Sequence, residues 1–456
     1  MNAVPRTLHQ AVDQAPLNGT YWLQFWVLAL CTIVDFFDYF IAGFLVSVVA
    51  PLWQMTFGQS AVVLMAAGVG GMVGSLLGGY LADQYGRKRV IVSCAILCGI
   101  SAGLVAFLPE RAWELFAVLR FLTGVFISCV YAATVAMVTE MTPTRHRTVV
   151  ASLNFVAPSA GILVATLSSA TLLHWLGWRG VAALAALPAL IGLVCVFLLN
   201  ESILWLISKG RDAEASRIAE RRLGISVDGL SIERPAAHQL GGSYAELLKH
   251  HTGRAALIFF VWFGIASAVY GVYAWGPTIV SMARGISTQE AARLFLWVSI
   301  AAVAGKITFS LLSRWLGRRP TGLITGTMGV ILLVIAAATH SVELLGFPAF
   351  LLFIAIGEFF TEGGAAQISP YSAELFPVRL AGRGAGIGQF GNGVGKIIGP
   401  LGLAIAAGTS NIVAPKATAD AILPGLLFLA ACLMTTVLAY VFLGVETRDQ
   451  QLDVDR

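Results

Sequence analysis

The chain has 456 residues, of which 57% are hydrophobic and only 12% are Asp, Glu, Lys or Arg, with a mean hydropathy of +0.81. Soluble domains usually carry about 25% charged residues, so most of this chain must face lipid, which excludes a soluble enzyme or binding domain. The net charge of +5 is spread over short loops; it bears on membrane orientation and gives no reason to expect a nucleic-acid partner.

The polar N-terminus (Arg6, His9, Asp13) leads into a first apolar run over 22–50, too long for the core of a cleavable signal. Polar breaks separate further runs at 60–82, 90–108, 113–139, 148–173 and 179–200. A polar stretch over 201–252 follows, then runs at 254–280, 288–313, 320–340, 346–373, 382–408 and 421–444. Runs of this length cross a bilayer as helices, because lipid offers the backbone no hydrogen-bonding partner. The pattern predicts an all-α membrane protein with twelve transmembrane helices in two pseudo-symmetric six-helix bundles. The expected units are an N-terminal bundle over 1–200, a cytoplasmic central loop over 201–252, a C-terminal bundle over 253–445 and a cytoplasmic tail over 446–456. Within the central loop, Asp212–Arg222 is rich in Ala, Glu and Arg and predicts a short surface helix.

With both termini inside, 21 of the 29 Lys and Arg fall on the cytoplasmic side. Arg111, Arg179, Arg284, Arg293 and Lys416 lie outside, and Arg120, Lys306 and Lys396 lie within spans. That asymmetry follows the positive-inside rule. Cys31, Cys94, Cys98, Cys129, Cys195 and Cys432 all sit in apolar runs without metal-like clustering, as packing residues do.

Between the second and third runs lies Gly79-Tyr80-Leu81-Ala82-Asp83-Gln84-Tyr85-Gly86-Arg87-Lys88-Arg89. A degraded copy, Ser310 to Arg319, lies between the eighth and ninth, with Arg314 where the first copy has its acid. One motif at matching places in two halves indicates a duplicated transporter. Glycines also recur at helical spacing, at Gly70, Gly74 and Gly78 and again at Gly384, Gly388, Gly391, Gly395 and Gly399. Small residues four apart let helix backbones approach closely. The stripes fit either static packing or a seam between two halves that rock against each other.

The loop Gly79-x-Leu81-Ala82-Asp83-x-x-Gly86-Arg87-Lys88 resembles the signature between helices two and three of the major facilitator superfamily. Arg120-x-x-x-Gly124, Glu140-x-x-Pro143-x-x-x-Arg147 with its echo Glu374-Leu375-Phe376-Pro377-x-Arg379, Glu201-Ser202 through Gly210-Arg211, and Glu446-Thr447 are similar to further motifs of that family, in the same order. The resemblance points to the group of aromatic-acid/proton symporters, metabolite/proton symporters and organic-ion or niacin transporters, alongside the sugar porters. It implies a cytoplasmic gate of Gly79, Asp83, Gly86, Arg87, Lys88, Glu140, Arg147, Arg314, Arg318, Glu374 and Arg379. Because Arg314 replaces the acid, the charge latch is expected mainly in the first half.

Charges inside spans cost at least about 2.5–3.5 kcal/mol each on insertion scales, so each needs a reason. Asp35 and Asp38 are three apart in the first span, and two close carboxylates in low dielectric do not easily both ionise. The motif resembles the Asp-Gly-x-Asp of aromatic-acid symporters with Phe36 for glycine, which implies proton coupling through Asp35, Asp38 and the buried Arg120. In related symporters the equivalent arginine pairs with the helix-one acid. In the second half, Glu358 and Glu362 share a helix face, and Lys396 either binds an anion or neutralises one of them. Lys306 is expected to gate or to pair. Tyr270-Gly271-x-Tyr273-x-Trp275-x-Pro277 resembles a motif of niacin and organic-ion transporters and lacks the amides with which sugar porters bind hydroxyls. With Gln367, Gln389 and Asn392, these residues are candidates for a wall around a small planar carboxylate.

The leading expectation is a proton-coupled symporter, working without a cofactor other than the proton gradient, that imports a small organic anion through a bacterial inner membrane as a monomer. The alternative is a proton-driven drug or cation exporter, for which Ala157-Pro158-x-x-Gly161 offers a faint motif. No catalytic triad, metal cluster or phosphate loop is present in the sequence, so an enzyme is not expected.

Overall fold

Long apolar runs free of interior breaks become long helices, and the computed structural model of the chain is built almost wholly from them. It describes residues 7–154, 156–223, 227, 230–232, 244–344 and 346–447. A short α1 (Leu8–Gln14) precedes α2 (Gly19–Trp53), α3 (Phe57–Tyr85), α4 (Arg87–Gly103) and α5 (Trp113–Met141). Next come α6 (Thr144–Asn154), α7 (Ala157–Leu184) and α8 (Leu187–Leu198). The connecting segment holds α9 (Ile203–Ser208), α10 (Asp212–Leu223) and α11 (Tyr244–His250). The second half comprises α12 (Thr252–Arg284), α13 (Thr288–Leu316), α14 (Arg318–Ala338), α15 (Ala349–Glu374), α16 (Val378–Ala407) and α17 (Pro415–Leu443).

Among the described residues, eleven helices are long and apolar enough to cross a membrane. The sixth crossing of the first half is assembled from pieces. Gly177 turns the chain at φ 62°, ending the first part of α7, and a break before Pro188 divides the rest from α8. Proline at the start of a helix costs nothing there, since its missing N–H would be unpaired anyway. The two halves repeat each other in detail. Thr56 and Gln59 close a capping box at the start of α3, and Ser287 and Glu290 do the same for α13. The next loops turn on Gly86 (φ 103°) and Gly317 (φ 92°), conformations natural only to glycine.

Packing repeats too. In the first half α3 lies on α5, α2 on α7 and α4 on both α5 and α8; in the second, α13 lies on α15, α12 on α16 and α14 on both α15 and α17. The halves meet where α3 faces α16, α7 faces α13 and α2 faces α12.

The glycine stripes serve packing within each half. A Cβ on Gly70 or Gly74 would come within 2.0 or 2.1 Å of the Phe121 or Val125 carbonyl on α5. Gly391, Gly395 and Gly399 likewise press against Phe259, Phe263 and Ser267 of α12. The helices that carry the stripes, α3 and α16, do face each other across the seam between the halves, while the stripe glycines themselves turn to helices of their own half. Glycines at the seam include Gly43, against Tyr273, Gly68, against Lys396, and Gly393, against Met72.

Hydrogen bonds between the halves gather at the end opposite the termini. There the amides of Phe57 and Gly58 donate to the carbonyls of Asn411 and Thr409 at 2.9 Å, and Val413 donates to Met55 at 3.0 Å. Among the described residues none joins the halves at the other end, around the loops after α3 and α13.

Candidate functional site

The charges expected inside spans fall into three groups at the centre of the molecule. In the first, Arg120 on α5 reaches α2. Its Nη1 donates to Asp38 Oδ2 and to the Asp38 carbonyl, both at 3.1 Å, and its Nη2 to the Tyr39 carbonyl at 3.1 Å. Asp38 is 1% exposed and Arg120 3%. Asp35, equally buried, does not share this arginine; its Oδ2 has no hydrogen-bond partner, and its neighbours include Cys94 and Cys195. The structure therefore joins Asp38 to Arg120 and sets Asp35 apart, toward the interior of the first half.

The second group surrounds Lys396. Its Nζ lies 4.8 Å from the Tyr270 ring centre and 5.0 Å from that of Tyr39. Tyr39 also faces the Arg120 guanidinium at 5.8 Å. The two tyrosines meet edge to face at 4.9 Å, and Phe40 stacks on Tyr270 at 5.1 Å while touching Tyr273 at 5.3 Å. Phe36 extends the wall from Phe40 to Tyr131. Lys396 makes no ion pair with any described residue. Ring quadrupoles attract an ammonium, by about 2 kcal/mol when it is desolvated, yet they leave its three N–H donors without acceptors. The cage holds a cation in place and keeps it available.

The third group is the acid pair of α15. Glu362 takes Lys306 as its partner, at 2.7 Å, and accepts a hydrogen bond from Ser159 Oγ of α7 at 3.0 Å, so it ties the second half to the first. Lys306 thus pairs, as expected, and it does the neutralising that Lys396 was a candidate for. Glu358, one turn away, makes no ion pair, and its Oε2 is buried without a partner.

The remaining candidates scatter. Trp275 donates its Nε1 to the Pro400 carbonyl at 2.6 Å and packs on Phe57 near the closed end, away from the cage. Gln367 donates to the Arg318 carbonyl, at the loop end of the second half. Gln389 accepts from Asn392 at 3.2 Å, and Asn392 Oδ1 is unpartnered. Tyr39, Phe40, Tyr131 and Ser159 were not singled out in the sequence, where aromatic and hydroxyl residues in an apolar run look like packing.

The gate residues form two matching networks. Arg87 binds Glu140 at 2.8 Å and Asp83 at 2.9 Å, while Glu201 accepts from the Arg87 and Lys88 amides at 2.9 and 3.1 Å. Ser202 donates to Glu140. In the second half Arg318 binds Glu374 at 2.7 Å, Glu446 accepts from the Arg318 and Arg319 amides at 2.9 and 3.1 Å, and Thr447 donates to Glu374 at 2.6 Å. Each network places a carboxylate on the first amides of a helix, where the helix dipole favours negative charge. The second half repeats the arginine–glutamate part of the network, and among the described residues the Asp83 arm has no counterpart there. Gly79 has open space around it, whereas Gly86 leaves none beside Glu201. The side chains of Arg147, Arg314 and Arg379 lie outside the described residues.

A family model described as Major Facilitator Superfamily matches residues 28–400. Among curated proteins, the chain is 26% identical over 398 residues to the niacin transporter NiaP of Acinetobacter baylyi, covering 86% of this chain and 88% of that one. It is 25% identical over 407 residues to the 4-hydroxybenzoate transporter PcaK of the same organism, covering 86% of each. It is also 25% identical over 412 residues to a gallate transporter of Pseudomonas putida, covering 87% and 89%. Among solved structures, the inward open conformation of the xylose transporter XylE from E. coli superposes with a TM-score of 0.71 at 17% identity, covering 94% and 97%.

Proposed function

The chain belongs to the major facilitator superfamily and is a multi-pass membrane transporter rather than an enzyme, and from that premise we propose that it is a proton-coupled symporter importing a small aromatic or related carboxylate. The observation that carries this reading is Lys396: a half-buried cation between Tyr39 and Tyr270, with no carboxylate among the described residues to satisfy it. A planar carboxylate would supply the missing acceptor and lay its ring against the aromatic wall. The names of the relatives, which refer to niacin, 4-hydroxybenzoate and gallate, support the same substrate class.

Import of an anion against a negative interior costs about 2.3 kcal/mol per charge for each 100 mV. Co-entering protons offset that cost, and Asp38 is the group we assign to carry one. In its ionised form it holds Arg120; a proton on Oδ2 removes the charge that anchors the guanidinium. Arg120 then still has the Asp38 and Tyr39 carbonyls. The switch therefore weakens the tie between α2 and α5 and leaves the buried guanidinium held by two carbonyls alone, which favours its movement. On this reading the protein works as a monomer in a bacterial inner membrane with both termini cytoplasmic.

The test is uptake of radiolabelled carboxylates into proteoliposomes with an imposed inward proton gradient. Gradient-stimulated accumulation is expected, abolished by a protonophore and lowered at least about tenfold in Lys396→Gln, the scale of one lost charged hydrogen bond. Accumulation of a cationic drug in its place, driven by proton exchange, would establish the exporter reading.

A further inference from the structure

Two of the seams between the halves are built differently. Where α3 faces α16, Gly68 lies against Lys396 and Gly393 against Met72, and among the described residues no hydrogen bond joins the two helices. Where α7 faces α13, polar groups meet at three levels. Toward the far end, the Ala170 carbonyl of α7 accepts from Gln289 Nε2 at 3.1 Å and from Arg293 Nε at 3.4 Å, both on α13. One turn nearer the centre, Ser299 Oγ lies 2.7 Å from Thr166 Oγ1. Thr166 spends its own proton on the Ile162 carbonyl at 3.0 Å, so Ser299 is the donor between them. Two turns further, Ser159 Oγ donates at 3.0 Å to Glu362 Oε2, the same oxygen that Lys306 of α13 holds at 2.7 Å. Ser159, Thr166 and Ser299 are 0% exposed, Glu362 4% and Lys306 5%. The levels repeat because the helices run antiparallel. Ser159 and Thr166 are about two turns apart on α7, as are Lys306 and Ser299 on α13.

A hydroxyl buried in a closed seam keeps its bond to the facing helix, and once the seam opens water takes that bond over. Hydroxyl rungs therefore hold a seam shut without the cost that a parted apolar face pays in water. We propose that Ser159 and Ser299 are positioning residues of alternating access, setting the balance between this arrangement and one open at the far end. Ser159 ties that balance to the buried Glu362–Lys306 pair, since one carboxylate oxygen serves both. The smooth α3–α16 seam has no such rungs and follows the movement of the halves. These roles are independent of the cargo. Removing either serine hydroxyl also strands no buried partner, because Glu362 keeps Lys306 and Thr166 keeps the Ile162 carbonyl.

The experiment puts a reporter at Val413, which is 4% exposed where the halves exchange backbone bonds at the far end. Alkylation of Val413→Cys by a maleimide is followed in the purified full chain in detergent, where the buried native cysteines keep the background low. In that parent, Ser159→Ala is expected to raise the labelling rate about tenfold or more, the scale of a lost hydrogen bond to a charged group. Ser299→Ala is expected to raise it about fivefold, the scale of a neutral one. Thr436→Val is the control for general loosening. It removes a buried hydroxyl from the Val261 carbonyl, 3.2 Å away within the second half, and is expected to leave the rate unchanged. Labelling at the parent rate in both serine variants overturns the proposal. So does a rate that simply follows melting temperature across all three variants, since loosened packing alone would produce it.

Discussion

Arg120 illustrates how a single buried charge can be both secured and switchable. Its guanidinium is held by one carboxylate and two backbone carbonyls, so neutralising Asp38 and deleting Arg120 are unequal injuries. Asp38→Asn leaves the carbonyls in place; the carrier is expected to fold and to exchange substrate across the membrane, but to lose gradient-driven accumulation. Counterflow measured beside net uptake checks this, and wild-type accumulation would remove Asp38 from the coupling role. Arg120→Met leaves Asp38 charged and alone, an injury of about 3–5 kcal/mol for a broken buried pair. Its melting temperature in detergent is expected to fall clearly below that of Asp38→Asn, and adding Asp38→Asn to it should restore part of the loss. These two residues were legible in the sequence because a charge in an apolar run is conspicuous. Tyr39, beside Asp38, was not, since nothing in composition separates a cage wall from a packing ring.

Helix contacts follow the same division. The glycine spacing showed which faces of α3 and α16 are smooth, but a periodicity names a face and not the helix that covers it. Only the assembled structure shows that α5 and α12 do so. How far the second half repeats the latch network was hidden for a related reason. The replacement of an acid by Arg314 suggested decay, while the parts that hold the loop, Glu374 and Glu446, sit far away in sequence at the ends of other helices. Close backbone contact also makes a graded prediction. A Cβ on Gly305 would lie 1.9 Å from the Phe359 carbonyl, whereas Gly79 has nothing within 4 Å. Gly305→Ala is expected to destabilise by about 1–3 kcal/mol, as overpacking does. Gly79→Ala is expected to be neutral or to stabilise by up to about 1 kcal/mol through helix propensity. Thermal unfolding of the two purified variants compares them directly, and equal melting temperatures would contradict the packing drawn here.

At the scale of the whole molecule, the two halves carry their strongest charge networks inside themselves and meet along a seam of packed helices. The latches after α3 and α13 brace each half as a unit and do not join the two. At the far end, short loops from both halves exchange backbone hydrogen bonds, and near the centre Ser159–Glu362 and Thr166–Ser299 bridge α7 to α15 and α13. Such an arrangement suits rigid bundles that part at one end while closing at the other. If the far end must open for substrate to enter, fixing it shut must stop transport. A Cβ on Gly58 would stand 3.3 Å from Thr409 Cβ, near the lower limit of about 3.5–4.5 Å for a disulfide. A Cβ on Gly58 would also stand 2.8 Å from the Thr409 carbonyl, so the double substitution Gly58→Cys with Thr409→Cys should cross-link on mild oxidation once the loop shifts to admit it. Uptake is expected to fall in step with the cross-linked fraction and to return on reduction, while each single substitution transports normally under both conditions. Full transport by the cross-linked carrier would mean that these loops never separate and that substrate reaches Lys396 by another route.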